Sequence, residues 1–167
     1  MRKQTPEQRL ESLGLKLPAA PEATARYKPT LLVGNQVWVS GHTPDDGGPT
    51  VFGQVPDDVS VEAAQQAAHQ TGLAILASVK AAVGELSYVK RVLFAEGKVN
   101  CGPNFHDHPK VINGFSDLMA KVFGEEAGIG TRNATGAVSL PGIVPVEITK
   151  AIFELKPSWK RSAKARK

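Results

Sequence analysis

The sequence predicts an α+β fold, one mixed β-sheet with two helices packed on one of its faces. Three observations predict it. Stretches of period two and period 3.6 follow one another in the order β-β-(β)-α-β-α-β-β. Only residues 60–84 and 108–123 are long and periodic enough to be substantial helices. The 167 residues, 41% hydrophobic and 22% charged, can bury one core, yet they supply no third large helix for the second sheet face. That face calls for a second copy of the chain.

The elements follow in order. Thr5-Pro6-Glu7-Gln8 reads as a helix start, with Thr5 as cap, Pro6 at the first helical position and Gln8 closing a capping box. The helix ends near Gly14, and a Pro/Ala stretch from Leu17 to Ala25 reads as an extended linker. Thr30–Val33 and Gln36–His42 are strands joined at Gly34-Asn35 into a hairpin. A loop at 44–49 precedes a short third strand over Val51–Val55. Ser60 caps the long helix, and Gly84 stops it. Tyr88–Asn100 reads as a long strand, and a second helix runs from His108 to Phe123. Strands over 133–140 and 144–155 close the domain. The expected divisions are 1–26, a short helix and linker; 27–155, the sheet domain; and 156–167, a solvated, disordered basic tail.

The tail changes the meaning of the charge. Net charge is +4, yet six of the 20 basic residues and none of the 16 acidic ones lie in 156–167. The body is therefore slightly acidic, and the tail is the only support for contact with RNA or an anionic surface. A single cysteine, Cys101, forbids an intrachain disulfide and suits a reducing compartment. The N-terminus has no apolar stretch of the kind a secretory leader needs, so a cytoplasmic protein is expected, with no membrane span.

Some residues could carry chemistry. On the last strand, simple alternation puts Glu147 on a face with Thr149, Ala151, Phe153 and Leu155. A carboxylate there is either a core ion pair, an edge position, or a positioned base with a raised pKa. Arg132 precedes two small same-face residues, Ala134 and Gly136. It could grip a carboxylate or phosphate, or pair with Glu125 or Glu126. Ser40 and His42 share a strand face but lack a nucleophile-elbow pattern. His106-Asp107-His108 lacks third and fourth metal ligands, and Pro109 makes His108 a helix cap. Cys101 reads as a packed residue, with no histidine at motif spacing to activate it.

The runs Val39-Ser40-Gly41-His42-Thr43-Pro44, Gly53-Gln54-Val55, Gly130-Thr131-Arg132-Asn133-Ala134-Thr135-Gly136, Leu140-Pro141 and Val146-Glu147-Ile148 resemble the YjgF/RidA (L-PSP) family in order and spacing. The likeness covers Tyr27 to Leu155, and Leu10–Gly14 with Leu17-Pro18 is similar to its longer, chorismate-mutase-like branch. The resemblance implies a chorismate-mutase-like α+β fold and a homotrimer with three clefts between subunits. It implies hydrolysis of reactive enamines and imines, such as 2-aminoacrylate, to 2-keto acids and ammonia, without metal or organic cofactor. Arg132 would hold the carboxylate of a small ligand, Glu147 would position water, and Tyr27 and Ser40 would line the cleft. Ala134 stands where the family often has cysteine, His42 where glutamine is usual, and Asn133 where serine is commoner. Two other readings remain: a non-catalytic small-molecule-binding trimer, and an RNA-acting endoribonuclease or translation inhibitor.

Overall fold

The structure is a computed structural model and describes residues 4–160. Its elements are α1 (Pro6–Ser12), β1 (Thr30–Val33), β2 (Gln36–Val39), α2 (Val61–Val83), β3 (Val89–Asn100), α3 (His108–Phe123), the single turn α4 (Glu125–Gly128), β4 (Thr131–Ala137) and β5 (Val146–Leu155). The strands form one mixed sheet in the order β1-β2-β5-β3-β4, with β3 and β4 parallel and every other neighbour antiparallel. Parallel strands need a crossover, and α3 with α4 supplies it.

Local chemistry explains the boundaries. Thr5 Oγ1 accepts the Gln8 N–H while Gln8 Oε1 accepts the Thr5 N–H, so α1 starts on a complete capping box. Gly34 takes positive φ and Asn35 does not, the arrangement of a type II′ turn between β1 and β2. Ser60 Oγ accepts the Ala63 N–H at the head of α2, and Gly84 ends that helix at φ 95°.

Both long helices lie on one sheet face. Val37, Val39, Val92, Val99, Ile148, Ala151 and Phe153 meet Ile75, Leu76, Val79, Ile112, Phe115, Leu118 and Met119 there, all buried. The helices cross at close range. A side chain at Gly114 of α3 would run into the backbone of Gln65 on α2, and one at Gly72 would lie 2.8 Å from Leu118 Cδ2. The opposite face is open. Register puts Leu31, Trp38 and Ile152 side by side on it, with Val33 next to Gln36. Leu31, Val33 and Trp38 keep 40% or more of their surface exposed, an apolar patch of the kind that marks an interaction site.

Three expectations need correction. Simple alternation fails on β5. Lys150 pairs with Glu96 and Ile148 with Gly97, so Thr149 is an extra residue, a β-bulge. The bulge reverses the phase: Val146 and Ile148 face the helices before it, Ala151, Phe153 and Leu155 after it. Glu147 therefore stands on the open side, away from Phe153. The third strand shrinks to one bridge, Val55 to Cys101. The start of the tail is docked: the Lys156 N–H and ammonium donate to Tyr88 O (2.8 Å) and Ser87 O (2.7 Å). Residues 157–160 make a helical turn that packs Trp159 against the core. The rest of the expected tail lies outside the described residues.

Candidate functional site

Ser40, Gly41 and Glu147 come together where β2 meets β5. His42 and Ile148 exchange both backbone hydrogen bonds, N to O at 3.0 and 3.1 Å, which locks the two strands just past the bulge. The Glu147 carboxylate then occupies the space a side chain at Gly41 would need. Glycine there leaves room for the carboxylate, and a side chain in its place would push the flexible end of Glu147 aside. Ser40 Oγ donates to Lys28 O at 2.6 Å, and its N–H donates to Pro29 O at 2.9 Å. Tyr27, adjacent to Lys28 in the chain, is 46% exposed.

Two effects move the Glu147 carboxyl above its ordinary pKa. Burial, which penalises the charged form, is the larger, and the negative charge of Asp46 is the second. Asp46 is held in the turn Pro44–Gly47, where its carboxylate accepts the Thr43 N–H at 2.8 Å. The site therefore holds a carboxyl able to keep and release a proton nearer neutral pH than a solvated glutamate.

His42 fixes this corner from beneath. It is 2% exposed, with Nδ1 2.9 Å from Ser40 O and Nε2 2.8 Å from Ser78 Oγ on α2. A carbonyl only accepts, so Nδ1 carries a hydrogen and donates. Replacing His42 by leucine leaves the Ser40 carbonyl and Ser78 hydroxyl unpaired in the core. The expected cost is about 1–3 kcal/mol, read as a lower urea midpoint at unchanged m-value.

Arg132 lies elsewhere. On β4 it sits opposite Ala95, and Ala134 and Gly136 sit opposite Gly97 and Val99, so all three face the helices. Its Nη1 donates to Ser116 Oγ at 2.9 Å and its Nη2 to Pro109 O at 3.4 Å, both on α3; no ion pair to Glu125 or Glu126 forms. The guanidinium lines a cavity of about 340 Å³ with Asn113, Ser116, Asp117, Gly130 and Thr131. The strand face of Ala134 and Gly136 thus does not link Arg132 to Glu147: within one chain the two lie on opposite sides of the sheet. The reason is pairing. Glu147 is opposite Lys98, which alternates with the helix-facing Gly97 and Val99.

The fold also makes contacts that sequence spacing hides. His108 Nε2 lies 3.4 Å from Cys101 Sγ, with the Phe105 ring edge-on to the imidazole at 5.2 Å. The helix cap is Asp107, and His108 is the first helical residue. Burial pushes the Cys101 thiol up, opposite to the shift an activated nucleophile needs. Gly136 is small because any side chain there would fall 2.8 Å from His108 Nε2 and 2.9 Å from Cys101 Sγ. Among the described residues, no three His, Cys, Asp or Glu side chains gather as a metal site, and no helix is long and apolar enough to cross a membrane.

The chain is similar to known proteins over most of its length. It is 40% identical over 147 residues to Protein TCP17 of Trypanosoma cruzi, covering 87% of this chain and 91% of that protein. A crystal structure of a protein of unknown function from Agrobacterium tumefaciens is 42% identical, with TM-score 0.81, covering 90% of this chain and 92% of that one. A crystal structure described as a putative endoribonuclease from Shewanella oneidensis is 34% identical, with TM-score 0.85, covering 91% and 100%. Residues 7–143 match one family model, and on that match the chain belongs to the YjgF/chorismate mutase-like, putative endoribonuclease family.

Proposed function

We propose that this chain is a hydrolytic deaminase of small enamines and imines that carry a carboxylate, releasing a 2-keto acid and ammonia, and that it works as a homotrimer. One observation carries the reading: Glu147 is a half-buried carboxyl of raised pKa, seated against Gly41 beside Ser40 on the open sheet face. Such a group suits proton transfer to and from water.

The partner cation is Arg132. Because it stands on the other side of the sheet, a cleft holding both residues is built from two copies: Glu147, Ser40 and Tyr27 from one, Arg132 and Ala134 from its neighbour. The exposed Leu31, Val33 and Trp38 supply the apolar surface that a second copy would cover. Arg132 holds the substrate carboxylate through two parallel hydrogen bonds, and Ala134 keeps the wall beside it small. An enamine first becomes the imine, gaining a proton at its β-carbon and losing one from nitrogen; protonated Glu147 then gives its proton to the imine nitrogen as water oxygen bonds to the carbon. The resulting carboxylate takes a proton from that water. Glu147 passes that proton to the amine nitrogen, the C–N bond breaks with its electron pair leaving on ammonia, and the hydroxyl proton returns to Glu147 as the C=O forms. No redox partner is needed, and holding a reactive imine beside one water supplies much of the acceleration.

Subunit mixing tests both the chemistry and the shared cleft. Arg132→Ala and Glu147→Gln are each expected to be nearly inactive toward freshly generated 2-aminoacrylate, read as ammonia or keto-acid release. Unfolded together in equal amounts and refolded, they are expected to recover about a quarter of wild-type activity, the random share of clefts receiving both intact residues. No recovery from two well-folded variants would reject the two-copy cleft, and wild-type activity equal to that of Arg132→Ala would reject the deaminase.

A further inference from the structure

A second cavity, of about 630 Å³, runs between the N-terminal arm and α2 and shares no lining residue with the Arg132 cavity. Leu10, Leu15, Leu17 and Pro18 form one wall. Ala77 and Ala81, four apart on one helix face, form the other, and their short side chains leave the depth. Two cations, Lys16 and Lys80, also line it. Among the described residues, the ion pairs all engage other groups, so neither ammonium has a carboxylate within bonding distance. Of the two acids in the lining, Glu7 already accepts the Leu86 N–H at 2.6 Å, which pins α1 to the start of the turn before β3. Lys16, Lys80 and the second acid, Glu11, are all exposed.

Apolar walls, two ammoniums outside any ion pair and a volume in the range of small-molecule sites fit an amphiphile with an acid head. The geometry points to a binding site for an unbranched medium-chain carboxylate, its hydrocarbon chain on the leucines and alanines and its acid group between Lys16 and Lys80. Its lining includes none of Leu31, Val33, Trp38 and Arg132, the residues assigned to the contact between copies. It is independent of the deaminase reading, since Glu147, Ser40 and Arg132 are not among its lining residues.

Calorimetric titration of the full chain with hexanoate, octanoate, decanoate, 1-octanol and octylammonium tests it. Affinity is expected to rise about fourfold per added methylene, the value of burying one CH₂. Octanoate is expected to bind about tenfold tighter than 1-octanol, the worth of a charge-assisted contact. Ala81→Phe, an exposed position, fills the groove and is expected to weaken octanoate at least about tenfold. The double variant Lys16→Gln, Lys80→Gln is expected to bind acid and alcohol equally while keeping the chain-length dependence. Absence of saturable octanoate binding, equal or tighter binding of octylammonium or 1-octanol by wild type, or unchanged octanoate binding by Ala81→Phe would each overturn the site. Because the readout is binding, failure here leaves enamine hydrolysis untouched, and an inactive protein could still bind octanoate.

Discussion

Glu147→Gln is expected to lower ammonia release from 2-aminoacrylate by about 10²–10⁴-fold, the usual contribution of a positioned acid–base group. Glutamine keeps the size and the place against Gly41, so the loss reports proton transfer rather than packing. The same substitution is expected to stabilise the protein near neutral pH. The reason lies in the sign of the linkage. Burial and Asp46 raise the Glu147 pKa in the folded chain, so between the ordinary carboxyl value and the raised one the folded state holds a proton that the unfolded state has lost. Stability therefore falls as pH rises through that window, and the full penalty persists above it. Glutamine removes the titration and with it that part of the slope. Urea midpoints for wild type and variant between pH 4 and pH 8 check this: the two should converge at the acid end and separate, variant higher, toward neutrality. Parallel profiles, or a variant as active as wild type, would reject the role.

Gly114→Ala carries the largest expected loss of stability. Alanine in an open helical position stabilises by up to about 1 kcal/mol relative to glycine, so an unobstructed site would give a gain. At Gly114 the added methyl meets the Gln65 carbonyl, with Gln65 C at 2.9 Å and the His69 backbone nitrogen at 3.1 Å. All three are backbone atoms of α2, which cannot rotate away as a side chain can. The helices must separate, and the expected cost is about 3 kcal/mol, the upper end of overpacking. In a chain of this length that lowers Tm by roughly 6–12 °C. Gly72→Ala is the internal comparison. Its methyl meets the ends of the Leu118, Phe115 and Met119 side chains, which can shift, so its loss should be smaller. A stable Gly114→Ala protein would mean that the helix pair has more room than the structure gives it.

The helices were legible because each carries its own stop signs. Ser60 and Gly84 bracket α2, and Gly124 ends α3, by chemistry local to a few residues. The β1–β2 hairpin was legible for the same reason. What local chemistry could not give was sheet order. Nothing near Gly97 announces that it will lie between Ala134 and Ile148, yet that pairing decides which way Arg132 faces. Cys101 and His108 meet only because β3 ends where α3 begins, and His42 meets Ser78 only because α2 lies across β2 and β5. Glu147 is legible as an unusual carboxyl on an apolar strand, and its pKa is raised, but simple alternation gives it the wrong neighbours, since one extra residue reverses every side chain beyond it.

That extra residue, Thr149, has a consequence for how the protein can change. It splices the final strand from two segments half a pleat out of step, one presenting the carboxyl and the other plugging the interior. Substitutions on the first segment can retune the acidity of that carboxyl without disturbing the second. Losing a single residue between Ile148 and Ala151 would do what no substitution does: bring the segments into step, and turn the Glu147 carboxyl inward or the aromatic plug outward.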